Sequence, residues 1–255
     1  MQKVSALYRE IIAGEHWFET KLIIGDEFYL IDESKNYITF GGTRIYYDSD
    51  SGGYGENMLK SVTTTSNLFA DSRPQVGCCV AAEIDITMIK PTATIERMAS
   101  LKPFFRAVNS SQQSEWLPKG IYYIDTRSDG EEDNTIVFHG YDDMLKAEQN
   151  FPSGDIGTWP KTDIDCVKLI ASLMEVEVDA RTEDIMRRGY SIQYPGAYSL
   201  REVLGYIAAM YAGNFIMSDE GRLRLIRLNE IGVETRYLVD NIGDNITFGG
   251  VRLLV

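Results

Sequence analysis

EWLPKGIYYIDTRSDGEEDNTIVFHGYDDMLKAEQNF, residues 115–151, decides how this chain is read. Ile121, Tyr123 and Asp125 alternate with Tyr122, Ile124 and Thr126, the period-two signature of a strand with two unlike faces. Asp129-Gly130 supplies a turn, and Thr135-Ile136-Val137-Phe138 runs back as a second strand. Gly140-Tyr141-Asp142-Asp143 then switches the period from two to about 3.6 residues, with Met144, Leu145 and Ala147 on the helix expected to follow. This is a structural plan: two strands, an acidic turn and a helix, with no chemical motif inside it.

Working outward, both flanks are rich in strand signals at first. Residues 1–13 form a short candidate helix with Val4, Leu7, Ile11 and Ile12 on one side. Residues 17–24 read as a strand ending at Gly25-Asp26, and 27–31 as its hairpin partner. Residues 37–47 continue the pattern, and DSDSGGYG, residues 48–55, is a polar loop. Further strands are expected at 59–65, 80–88, 94–98 and 104–108. Short strands at near-regular spacing, broken by Gly and Asp turns, point to a barrel or sandwich rather than a parallel sheet.

The helices are concentrated in one block. Thr162-Asp163 caps a helix that carries Ile164, Val167, Ile170, Ala171 and Met174 at helical spacing. Ser199-Leu200-Arg201-Glu202 is a capping box whose helix buries Val203, Leu204, Ile207, Ala208 and Tyr211 before Gly213-Asn214. Residues 215–218 and 223–226 flank Asp219-Glu220-Gly221 as another hairpin. Asn245 to Gly250 echoes Asn36 to Gly42, a short internal similarity. The apolar ending Val251-Arg252-Leu253-Leu254-Val255 is expected to be tied into a sheet, or to continue in a longer natural protein.

Composition bounds the function. The 255 residues carry 25 basic and 38 acidic side chains, a formal charge of −13, with 44% apolar and 25% charged residues. That is the composition of a folded chain, and its charge disfavours a protein that grips nucleic acid through phosphates. A negative surface still suits a conduit past which DNA slides without sticking. No stretch approaches the ~18 apolar residues of a membrane span, and Arg9, Glu10 and Glu15 interrupt any signal-peptide core, so synthesis and folding in the cytoplasm are expected.

Candidate chemistry is sparse. Cys78, Cys79 and Cys166 have no disulfide or metal-ligand spacing and read as buried thiols. His16 and His139 are the only histidines, too few for a His-based metal site or a Ser-His-Asp triad. His139 with Asp142 and Asp143 could be an acid/base cluster, but the plainer reading sets both aspartates in a first helical turn, where they favour the dipole. Glu131-Glu132-Asp133 reads as a solvated turn. Gly52-Gly53-Tyr54-Gly55 lacks the helix a phosphate cradle needs. No residue is assigned as catalytic, cofactor-binding or metal-binding.

Four segments carry a resemblance: SEWLPKGIYYIDTR (114–127), HGYDDMLKAEQNF (139–151), WPKTDIDCV (159–167) and SIQYPGAYSLREVLGYIAAMYAGNFIMSDEGRLRLI (191–226). Together, within residues 99–227, they resemble the N-terminal hub region of phage tail proteins from prophages of Gram-positive bacteria. That family is similar to contractile-tail baseplate hubs, to the hub half of valine-glycine repeat spike proteins, and to the N-terminal part of tail-associated lysins.

The resemblance implies an α+β fold of two tail-tube-like β-barrel domains with a helical block between or inserted. The expected organisation is a first barrel over 1–100, a β-hairpin region leading into a helix over 101–158, a helical block over 159–214, and strands of a second barrel over 215–255. It implies a virion structural protein, a trimeric ring at the tail tip that adapts the tube to the tip and lines the DNA exit channel. Its partners would be its own copies, distal tail or tube proteins, the tape-measure protein and passing DNA that is not specifically bound, with no cofactor and no membrane insertion. Two alternatives stay open: a carbohydrate- or receptor-binding tail module displaying Trp17, Trp116 and Trp159, and a cell-wall hydrolase.

Overall fold

Strands dominate the first half of the chain and helices the second. The computed structural model describes residues 4–25, 53–71, 73–92, 94–153 and 157–228, with the backbone of residues 39–40, 43–44, 247–248 and 251–252. The elements, in chain order, are α1 (Ala6–Ile12), β1 (Trp17–Ile24), β2 (Thr39–Phe40), β3 (Thr43–Arg44), β4 (Leu59–Thr65), β5 (Glu83–Ile89), β6 (Ser100–Val108), β7 (Leu117–Pro118), β8 (Tyr122–Asp129), β9 (Thr135–Asp142), a 3₁₀ turn (Asp143–Glu148), β10 (Lys161–Thr162), α2 (Asp163–Leu173), α3 (Ala180–Ile185), β11 (Ser191–Ile192), α4 (Leu200–Met210), β12 (Gly213–Met217), β13 (Leu223–Arg227), β14 (Thr247–Phe248) and β15 (Val251–Arg252).

One antiparallel sheet runs β1-β6-β8-β9-β5-β4, with β7 added beside β6. Its inner face follows from alternation: Ile84, Ile86 and Met88 on β5 are fully buried, and so is Phe138 on β9, opposite Ile86. Leu22, Leu101, Tyr122 and Ile124 complete this core from β1, β6 and β8. Asp85 and His139, opposite one another, lie on the other face, where they hydrogen-bond across the strands.

Among the described residues no closed barrel forms, against the expectation of two. Among the described residues the sheet is open: β1 pairs along its length with β6, β4 pairs with β5, and no ladder joins β1 to β4. The ends meet at one point, where Leu22 and Tyr54 exchange two backbone hydrogen bonds of 2.9 and 2.7 Å, a bridge rather than a ladder. Of the second expected barrel, over 215–255, the described residues hold two separate two-stranded pairs, β12–β13 and β14–β15. Apolar alternation fixes which face of a strand is buried, but it does not specify whether the last strand closes on the first.

The helical half packs differently. Val167, Ile170 and Ala171 of α2 and Val203, Leu204, Ile207 and Ala208 of α4 bury one stripe each with Phe215, Leu223 and Leu225 of the hairpin. Thr162 caps α2 by accepting from Asp165 N, and Ser199 with Glu202 forms the expected reciprocal box on α4. α3, which the sequence pattern did not reveal, is capped by Asp179 and lies along β13, where Thr182 Oγ1 accepts from Leu225 N at 2.9 Å. β10 and β11 pair beside α2.

Three local expectations change. Residues 94–98 are not a strand: Arg127 donates to the Ile95 and Glu96 carbonyls at 3.1 and 2.9 Å, and Met98 has φ 62°. β9 runs on to Asp142, four residues past Phe138, and the helix expected after it is a six-residue 3₁₀ segment rather than an α-helix. Within the two echoed segments, Thr39 pairs with Arg44 and Phe40 with Thr43, and Thr247 pairs with Arg252 and Phe248 with Val251, the same register twice. The expected strand at 27–31, most of the one at 37–47 and most of the loop at 48–55 lie outside the described residues, as does the end of the chain after Arg252.

Candidate functional site

The two halves are joined along a seam of backbone and buried polar contacts. The connection between β4 and β5 crosses to the helical block and lies beside β12. Phe215 N donates to Cys78 O at 3.0 Å, Gly77 N donates to Gly213 O at 2.9 Å, and Cys79 and Phe215 form a parallel bridge. Val178 bridges Leu223 on the far side, so the β12–β13 hairpin is flanked by extended chain on both edges.

Asn214 fastens this seam. It is fully buried; its Oδ1 accepts from Cys78 N at 2.8 Å and its Nδ2 donates to Leu68 O and Gln75 O, both at 2.9 Å. Burying a carboxamide is tolerable only with such partners. Beside it, α4 and the crossing chain approach backbone to backbone: a Cβ on Gly205 would lie 2.7 Å from Gly77 O. Only glycine allows that contact. A second clasp joins the turn before β8 to the β12–β13 turn, where Gly120 N donates to Asp219 O at 2.9 Å and Lys119 pairs with Asp219 at 3.2 Å.

The 3₁₀ turn is the third link. Asp142 and Asp143 are each only 4% exposed, whereas Met144 and Ala147 are fully buried in the helical core. Asp142 Oδ1 accepts from Met144 N at 3.0 Å, and Asp143 Oδ1 meets Lys146 Nζ at 2.8 Å. Burial pushes the Asp142 carboxyl up to about 7; amide hydrogen bonds from Ala82 and Met144 pull it down, the Asp143 charge pushes it up, and the Arg201 charge pulls it down. Burial opposes the charge on Lys146, but Asp143 outweighs it and holds the ammonium above its ordinary value.

His139, Asp142 and Asp143 therefore do not form one site. His139 Nδ1 faces Asp85 Oδ1 at 2.8 Å on the outer face of the sheet, while Asp142 points to the buried side. Glu132 lies in the hairpin turn and pairs with Lys60 at 3.5 Å. His16 Nδ1 is 2.8 Å from Gly14 O. All three cysteines are free thiols in buried positions, and burial pushes Cys79 and Cys166 up to about 12. Among the described residues no group of three or more His, Cys, Asp or Glu side chains could hold a metal ion, and no helix is long and apolar enough to cross a membrane.

Nor do the tryptophans share a groove. Trp159 packs on Phe151 and Tyr194 against the helical core. Trp116 is covered by cations, with Lys21 Nζ 4.7 Å and the Arg106 guanidinium 4.4 Å from its ring centre. Trp17 is half exposed at the start of β1. The seam residues Asn214, Gly77 and Gly205 were not singled out in the sequence as interacting, because each acts through a partner more than a hundred positions away.

No protein-family model and no curated protein matches the chain. Among solved structures it is similar to the 43 kDa tail protein of prophage MuSo2 from Shewanella oneidensis, with a TM-score of 0.46 and 13% identity over 84% of this chain and 56% of that one. It is also similar to the tail protein from Neisseria meningitidis MC58, with a TM-score of 0.43 and 11% identity over 90% of this chain and 53% of that one. The chain spans just over half the length of each, and likeness at this level transfers no function.

Proposed function

We propose that this chain is a structural protein of a phage or prophage tail, a hub subunit at the tip. Its copies form a trimeric ring that adapts the tail tube to the tip and lines the exit path of DNA. The observation that carries the reading is the open sheet: among the described residues, β1 and β4 are laddered along one side only, and the seam holds the sheet on a compact helical block. Sheet edges of this kind are completed by neighbours, and like subunits most often assemble with closed symmetry. The segments that resemble tail hubs supply the β8–β9 hairpin, the 3₁₀ turn and the α4–β12–β13 unit that make up most of this frame.

In this reading the chain acts by assembly rather than catalysis. Its partners are its own copies, distal tail or tube proteins and the tape-measure protein, and its place is the virion tail. The charge of −13 lets DNA pass without specific binding. Immunogold labelling of tail particles tests the location: label at the tip is expected, and label confined to the capsid or absent from particles overturns it. Native mass measurement of the protein released from tails tests the ring: a trimer is expected, and a monomer or hexamer overturns the ring.

A further inference from the structure

We propose that Asp142 and Asp143, buried where β9 becomes the 3₁₀ turn, form a pH-sensitive latch between the sheet and the helical block: with Asp142 protonated the turn is seated, and with Asp142 ionised the turn lifts. The geometry places two consecutive carboxyls, each only 4% exposed, at a point where a strand of the sheet runs directly into a segment of the helical core. Only Asp143 has a close cation, Lys146 at 2.8 Å, and Lys146 also lies 3.9 Å from Glu175 and over the Tyr123 ring.

Around Asp142 burial outweighs the groups that favour the ionised form, which are the Ala82 amide, the Met144 amide at 3.0 Å and the Arg201 charge. From α4, Arg201 is engaged with the Met144 carbonyl at 3.1 Å and with Glu148 at 3.2 Å. From β8 comes the buried Tyr122, whose phenol is held neutral by burial and by the charges of Asp142 and of Asp219 on the β12–β13 turn. The chain leading into β5 offers the Ala82 amide. Two buried carboxylates side by side with one close cation resist double ionisation.

The sign follows from linkage. A carboxyl raised on folding to about 7, against about 4 in an open segment, keeps its proton in the seated state between those values. Ionisation therefore works against seating as pH rises through that window, and the full effect is reached above it. What the turn releases on lifting is specific: Met144 and Ala147 leave the helical core, and the hydrogen bonds from Leu200 N to Gln149 O and from Phe151 N to Tyr198 O lose their anchor.

Hydrogen exchange of the whole chain, expressed as protection factors, tests the latch. Between about pH 6 and about pH 8.5 the amides of residues 144–150 should lose roughly tenfold in protection, while central β9 and α4 change little. Asp142→Asn, which keeps an acceptor for Met144 N, should abolish the loss. His139 points to the opposite face of β9 and is retained in the variant, so a loss that persists in Asp142→Asn overturns the latch. Protection that is independent of pH, or that falls equally throughout the chain, also overturns it. If Asp142→Asn does not fold, NMR titration of the Asp142 carboxyl in the unaltered chain decides: a midpoint above about 6 supports the latch and one below about 6 overturns it.

Discussion

The sheet and the helical block obey the same rule of apolar periodicity and reach different ends. In the block, two helices cover the hairpin, extended chain flanks both of its edges, and the buried polar groups Asn214, Asp163 and Thr182 all have partners. In the sheet, one face is buried, the other carries Asp85 and His139, and the terminal strands are laddered on one side. Among the described residues the hairpin of the block is met by chain on both edges, whereas the terminal strands of the sheet are paired along one side only. Apolar pattern alone thus produces both a finished core and an unfinished surface, and the difference lies in what meets the edges.

Core truncation provides the strongest test of that asymmetry. Phe215→Ala should cost about 4 kcal/mol and loosen both halves, because the crossing chain at Cys78 and Cys79 rests on Phe215. Phe138→Ala, equally buried, should cost about as much yet leave the amides of α2 and α4 protected. Urea unfolding followed by hydrogen exchange reads both, and equal loss across the molecule in both variants would break the comparison. Asn214→Ala comes next: orphaning the Cys78 amide and two carbonyls should cost about 3 kcal/mol and split one unfolding transition into two. Circular dichroism and intrinsic fluorescence, followed together, would show the split. Ser199→Ala should have the smallest effect, about 1 kcal/mol confined to α4, seen as a small shift of the urea midpoint.

What could be read in the sequence was local. Thr162 and the Ser199–Glu202 box announce their helices because a cap and its partner lie three residues apart. The β8–β9 and β12–β13 hairpins follow from turns beside alternating strands. The failures are of longer range. Residues 94–98 read as a strand until Arg127, some thirty positions on, takes the Ile95 and Glu96 carbonyls. The run after Phe138 continues as strand to Asp142 because β5 and β8 pair with β9 as far as Tyr141 and Asp142, so the helical segment carrying Met144, Leu145 and Ala147 starts later and is 3₁₀. Barrel closure was read where the sheet stays open, since alternation is the same in both. Of the seam, Asp142, Asp143, Cys78 and Cys79 were visible in the sequence, but the partners of the two cysteines were not, because those lie far along the chain.

Two of the three thiols carry a consequence outside stability and assembly. Only a thiolate attacks a disulfide, and burial pushes Cys79 and Cys166 up to about 12, which keeps them as thiols at neutral pH. A chain with these two groups sealed in the helical core can pass from a reducing cell interior to an oxidising exterior with their covalent state unchanged.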